Sequence, residues 1–260
     1  MGVQDRDYYR TRPPSGIGAV RVWSLTTWLI LINIAVFVLD AFILRTQRSS
    51  ARSYEDYHSQ VSLLQQWGAF TIRDTFLRGQ LWRLITCQFL HAGLYHIVVN
   101  MIALYMFGPV VELTLGTRRF ALFYTLCGIA GPLMFTLLWS LGIAMPDLPG
   151  KMFPTIDIPM VGASAGIFGI LMAAAYLSPD RPIYIYFFEI PLKYLAWGLM
   201  ALAAYTVLVD GPNAGGQAAH LGGGILGWIW IRQHGIFDVV SRRKKFRGRL
   251  VKDWSKDLNR

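Results

Sequence analysis

Stretches of about twenty residues with almost no charge recur along this chain, and a stretch of that length is what a bilayer-crossing helix needs. Six such windows are present, at about Val22 to Leu44, Leu90 to Leu113, Phe120 to Ile143, Pro159 to Leu177, Leu192 to Val209 and Gly215 to Ile231. Turn residues separate them: Gly116-Thr117-Arg118-Arg119, the Pro-containing linker from Met145 to Pro159, Ser178-Pro179-Asp180-Arg181-Pro182, and Asp210-Gly211-Pro212-Asn213. Only 15% of residues are charged, against about 25% in soluble domains. The nine Trp and twelve Tyr suit the aromatic belts at the two bilayer surfaces. The expected fold class is all-α: a polytopic membrane protein whose residues 22–232 form a six-helix membrane domain. A cytoplasmic N-terminal segment (1–21) and a basic cytoplasmic tail (233–260) flank it. The first window is not read as a cleavable signal peptide, because its apolar core exceeds the usual 7–15 residues and no A-x-A-like site follows. Arg6 stands where N-myristoylation wants Ser or Thr.

The net charge of +10 does not point to nucleic acid, because of where the charge lies. The run Arg242-Arg243-Lys244-Lys245-Phe246-Arg247-Gly248-Arg249 comes soon after an apolar window, a place where anionic lipid headgroups attract basic side chains. Six spans put both termini on one side, together with Arg118, Arg119, Arg181 and the tail. The excess of Lys and Arg there makes that side cytoplasmic. The long loop between the first two windows is the exception, carrying Arg45, Arg48, Arg52, Arg73, Arg78 and Arg83. Its Trp67-Gly68-Ala69-Phe70 and Leu81-Trp82-Arg83-Leu84-Ile85 read as membrane-associated, with aromatic bodies among headgroups and Arg heads in water. The alternation Ile183-Tyr184-Ile185-Tyr186-Phe187-Phe188 reads as a segment lying along the inner surface. Cys87 and Cys127 have no metal-type spacing and read as free thiols or packing residues.

Polar side chains at membrane depth mark function by default, because each must be satisfied without water. His96 and Asn100 fall in the second window, Ser164 in the fourth and His220 in the sixth. Windows two, four and six all run from outside to inside, so these four residues lie roughly 8–15 Å below the outer surface at 1.5 Å per residue. His96 and Asn100 are four apart and share one helix face. Gly162, Gly166 and Gly169 surround Ser164; Gly216, Gly223, Gly224 and Gly227 surround His220. Gly223 and Gly227 form a small-xxx-small pair that lets backbones approach closely. Glycine there removes the bulk that would keep Ser164 and His220 outside hydrogen-bond distance.

Three chemistries use such a set. Zinc would take His96, His220 and His91, but there is no H-E-x-x-H and no acid among the four, and Glu112 lies near the opposite leaflet. Translocation of an ion or solute would want charges or broken helices in paired repeats. Nucleophilic catalysis fits the residue types: Ser164 attacks while His220 takes its proton and returns it to the leaving amine. No Asp stands near His220, so the pair is a dyad. His96, Asn100 and the Ser164 backbone N–H are the available oxyanion donors.

These residues resemble the rhomboid intramembrane serine proteases. Gly162-Ala163-Ser164-Ala165 is similar to the family's GxSG motif, and Ala218-Ala219-His220-Leu221-Gly222-Gly223 followed by Gly227 to its AHxxGxxxG motif. His91-Ala92-Gly93-Leu94-Tyr95-His96-Ile97-Val98-Val99-Asn100 resembles the second span, Trp82-Arg83 the WR pair of the first loop, and Glu112, Gly116 and Arg119 the E-x-x-x-G-x-x-[KR] end of that span. The resemblance implies a rhomboid-like bundle with a membrane-associated loop between helices 1 and 2. It implies Ser164 as nucleophile, His220 as base, His96, Asn100 and Ser164 at the oxyanion hole, and Phe168 packed on the His220 ring. Gly162, Gly223 and Gly227 would support the site, and Trp82-Arg83 would brace the loop. Ala165 departs from the motif, which has glycine there.

Substrates of such a site are transmembrane segments of other proteins, and no metal or organic cofactor is implied. The alternative is a catalytically inactive rhomboid-like protein that binds client transmembrane helices. A bacterial inner membrane with both termini cytoplasmic is the expected location.

Overall fold

The computed structural model of the chain describes residues 23–43, 62–145, 156–185 and 187–233. The expected cytoplasmic segment 1–21 and nearly all of the basic tail 233–260, with its expected lipid contacts, lie outside the described residues. Each of the six apolar windows contains one helix. Helix α1 is Leu25–Val38 and runs on into a π-helical turn, Leu39–Ile43. The following loop holds α2 (Leu63–Gly68), a π-helical turn (Arg73–Leu77), α3 (Arg83–Thr86) and a 3₁₀ turn (Cys87–Phe89). Then come α4 (Leu94–Leu115), α5 (Thr117–Ala144), α6 (Ser164–Leu177), strands β1 (Pro182–Ile185) and β2 (Phe188–Pro191), α7 (Leu192–Leu208) and α8 over 214–233.

By length and composition, α4 and α5 are long and apolar enough to cross a bilayer, with 22 and 28 residues. Helices α1 and α6 have 14 residues each and α7 has 17. Fourteen residues rise about 21 Å, less than the ~30 Å hydrocarbon core. The fourth window therefore yields a helix that starts later than Pro159. Met160 pairs with Phe70 in an antiparallel bridge, N–H to carbonyl in both directions at 3.0 and 2.8 Å. Gly162 at φ +133° adopts a conformation that side chains with a Cβ avoid. Both keep 160–162 out of the helix, so α6 opens at Ser164.

Helix α6 is apolar on every side, and a helix of that kind belongs in a core. Residues from Ala165 to Ala175, apart from Phe168, are buried; α4, α5 and α7 pack around them, and α8 closes on them through glycine. The outer faces of α4 and α5 stay apolar and exposed, with Leu94, Tyr95, Ile102, Tyr105, Leu122 and Leu137 pointing away. Exposed apolar area on that scale marks a surface meant for lipid or protein rather than water.

Two expectations need correction. The chain is mostly helical but not all-α: Pro182–Ile185 and Phe188–Pro191 pair antiparallel, Ile183 with Ile190 and Tyr184 with Glu189. Alternating β-branched and aromatic residues favour a strand there, and Phe187 in the turn is 98% exposed. Arg83 does not hold its head in water. It is 3% exposed, donating to the carbonyls of Ala69 and Gln66 and to Gln80 Oε1. The loop is built of short helical pieces, and a helix end leaves carbonyls without partners in its own helix; at the end of α2 a buried guanidinium with five donors supplies them. Trp82 Nε1 donates to the Trp67 carbonyl at 3.1 Å. The braced loop reaches the segment leading into α6: Arg73 pairs with Asp157, and the Gly162 N–H donates to the Cys87 carbonyl at 2.9 Å.

At the opposite end of the helices, Glu112 of α4 is buried against the start of α1. Its carboxylate accepts from the N–H groups of Leu25 (2.7 Å) and Thr26 (2.9 Å) and from the Thr26 hydroxyl (2.7 Å). A helix N-terminus presents unpaired N–H groups and the positive end of its dipole, so an anion satisfies both. Gly116, at φ +80°, then turns the chain from α4 into α5 in a single residue. Replacing Glu112 by Gln should leave one or more of these donors unpaired, at about 1–3 kcal/mol. Thermal unfolding in detergent should then begin several degrees lower; an unchanged Tm would contradict this role.

Candidate active site

The site is built where α6 and α8 nearly touch. A Cβ on Gly223 would lie 1.9 Å from the Ala165 carbonyl oxygen, and one on Gly227 would lie 2.4 Å from Gly169 Cα. Neither contact leaves space for a methyl group. One turn before Gly223, His220 faces the first residue of α6, and its Nε2 is 2.9 Å from Ser164 Oγ. Phe168, one turn further along α6, stacks flat on the imidazole at 4.2 Å between centroids and 7° between planes. Serine and phenylalanine at i and i+4 thus bracket one ring from a single helix face.

As the opening residue of α6, Ser164 has a backbone N–H with no acceptor inside the helix. The expectation that Ser164 lies a turn inside a helix is corrected by this start, and the difference exposes a donor. His96 and Asn100 of α4 line the same cavity of about 840 Å³ as Ser164 and His220. The Gly162 backbone sits against His96: a Cβ there would be 2.8 Å from His96 Nε2 and 3.6 Å from Ser164 Oγ. Asn100 is buried, and its Nδ2 has no hydrogen-bond partner among the described residues. Buried donors are nearly always paired, which makes this amide, on a residue of the cavity wall, an exception. Behind His96 lies His91, edge-on at 5.2 Å.

Ala165 does not obstruct the dyad. Its methyl is buried against α5, where a Cβ on Gly131 would come within 2.6 Å of it. The bulk that this chain adds at 165 is accommodated by the absence of bulk at 131.

Sequence reasoning missed one member of the cluster. Gln217 Oε1 is 3.0 Å from His220 Nδ1. An orienting group need not be a carboxylate: an amide three residues back on the same helix face carries the signal here.

A family model described as the Rhomboid domain matches residues 78–233, more than half the chain and all of the residues just described. The chain belongs to the rhomboid family. Rhomboids are membrane-embedded, with bacterial and mitochondrial members among the relatives of this chain. This rhomboid is 31% identical to the Rhomboid protease AarA of Providencia stuartii over 219 residues, 81% of this chain and 71% of that protein. It is 27% identical to RHOMBOID-like protein 1 of Arabidopsis thaliana over 81% of this chain and 54% of the plant protein. Against the mitochondrial Rhomboid protein 1 of Saccharomyces cerevisiae it is 30% identical over 64% of this chain and 46% of the yeast protein. The chain thus spans about half the length of the plant and yeast relatives.

In this rhomboid, Gly131→Ala should force α5 from α6 and lower both Tm and any activity of Ser164. Adding Ala165→Gly should recover part of the loss, because Ala219 would still crowd the new methyl at 3.1 Å. Strict additivity of the two changes would show that 131 and 165 do not share one space.

Proposed function

We propose that this rhomboid is a serine endopeptidase that cuts transmembrane segments of other membrane proteins. The observation that carries the reading is the 2.9 Å contact between Ser164 Oγ and His220 Nε2 on the wall of a cavity. A serine hydroxyl is a weak nucleophile until a base stands within hydrogen-bond reach.

In this reading the six apolar helices make up the membrane domain and both termini are cytoplasmic. The N-terminal ends of α4, α6 and α8 then face outward, and Arg118, Arg119, Arg181 and Arg232 face inward. If α6 ends at the inner boundary, its 21 Å length sets Ser164 roughly 10 Å below the outer one, shallow enough for water to reach. The Providencia relative, covered over most of its length, favours a bacterial inner membrane.

The chemistry follows from the geometry. Ser164 Oγ attacks the carbonyl carbon as its proton passes to His220 Nε2. The resulting oxyanion is met by the Ser164 N–H, Asn100 Nδ2 and His96, each donor being typically worth about 10²–10³ in rate. The C–N bond then breaks, His220 protonates the departing amine, and an ester remains on Ser164. Water, deprotonated by His220, attacks that ester and frees the enzyme. A helical peptide bond is shielded by its own hydrogen bonds, so favoured substrates unwind easily near their outer ends.

The intact contact between Ser164 and His220, with the Ala165 methyl packed against α5, speaks against the silent client-binding alternative. Purified protein in detergent should cut a model transmembrane substrate, and EDTA should leave the rate unchanged. Ser164→Ala and His220→Ala should each abolish cutting, while Asn100→Ala should lower kcat by about 10²-fold. Undiminished cleavage by either dyad variant, or no cleavage by the wild type, would overturn the proposal.

A further inference from the structure

We propose that Gln217 is a positioning residue for catalysis: its side-chain carbonyl holds His220 in the one tautomer that can accept the Ser164 proton. The inference rests on the protease reading and adds to it a third side chain, with an amide where a carboxylate is usual.

A neutral imidazole carries one N–H donor and one acceptor nitrogen. For Nε2 to accept from Ser164 Oγ, the proton must be on Nδ1. That proton needs an acceptor, and Gln217 Oε1 stands 3.0 Å away. The opposite tautomer would put a hydrogen on Nε2, aimed at the serine oxygen, where no base is left to receive the hydroxyl proton. Phe168 fixes the plane of the ring, Ser164 fixes one edge and Gln217 the other. Together they define both the rotamer and the protonated nitrogen. In serine proteases of other folds a buried carboxylate does the orienting and also stabilises the imidazolium that forms. A neutral amide retains the first task and gives up most of the second. Among the described residues no carboxylate competes for Nδ1: the other titratable groups lining the cavity are Cys87, Tyr95, His96 and Asp210, and none of them is the Nδ1 partner.

Position 217 lies in the first turn of α8, beneath Asn213, whose side chain lies over Gly216, and the Gln217 N–H donates to the Asn213 carbonyl at 3.0 Å. The backbone of Gln217 is thus held by the helix whatever its side chain does, which allows the side chain to be changed without unwinding the turn.

The test compares wild type, Gln217→Leu and Gln217→Glu as full-length protein in detergent, with Tm recorded for each and cleavage of a model transmembrane substrate followed across pH. Gln217→Leu should lower kcat by roughly 10- to 100-fold, the loss expected for one hydrogen bond to a group that becomes charged, with little change in KM. Gln217→Glu should restore most of the rate and move the acid limb of the profile to higher pH, because a carboxylate favours the imidazolium and the base must be neutral to act. A purely structural role would make both variants equally poor with the acid limb unmoved, and that result would overturn the assignment, as would a wild-type profile and kcat in Gln217→Leu. Nitrogen-15 spectra of histidine-labelled protein, assigned with His220→Ala, give a readout independent of turnover. The wild type should show His220 protonated at Nδ1, and Gln217→Leu should lose that signature; a ring protonated at Nε2 in the wild type would sink the proposal. If the wild type does not cleave, the protease reading falls, and the spectra still decide what Gln217 does.

Discussion

The carbonyl oxygen of Ala165 lies so near the backbone of Gly223 that a single added carbon would overlap it. This contact between α6 and α8 governs the site, because the two chemical groups sit within one turn of it on either helix. Serine and histidine side chains are short. They meet at 2.9 Å where glycine lets the two backbones come so close that no methyl group fits between them. Gly169, backed by Cys127 and facing Gly227, extends the same approach one turn deeper.

The remaining structure keeps that contact aligned. Glu112 ties α1 to the far end of α4 through backbone donors, and α4 carries His96 and Asn100 at its other end. The loop between α1 and α4 is held from within by Arg83 and pairs with 156–162, the segment that delivers Ser164. Position and orientation of Ser164 thus depend on a loop that pairs with its approach segment across 75 to 90 residues of sequence, from Cys87–Gly162 to Phe70–Met160. This arrangement holds the opening residue of α6 rigidly although α6 itself has only 14 residues.

Much of this was legible in the sequence, and the particular failures are physical. Apolar windows located the six helices, because burial in lipid or core imposes one composition over a whole helix. The dyad was legible because glycine, serine and histidine have few reasons to share one depth. The start of α6 was not: hydropathy does not register a β-bridge, and Met160 and Val161 are as apolar as the helix they precede. The alternation at 183–188 marks a surface segment but not the hairpin, since alternation over so few residues does not identify a partner. Charge alone points Arg83 toward water, but buried helix-end carbonyls together with the buried carboxylate of Asp74 are an equally good home for a guanidinium. Gln217 carries no charge to mark it in the sequence, whereas the ring nitrogen needs only an acceptor.

The central claim is that glycine at the α6–α8 contact is what lets the hydroxyl and the imidazole meet. The most direct measurement is covalent labelling of Ser164 by a fluorophosphonate probe in folded wild type and folded Gly223→Ala protein, since the probe reacts only with an activated serine. Labelling of the wild type and its loss in the variant, with helix content retained, is the predicted result. Equal labelling of the two proteins would contradict the account.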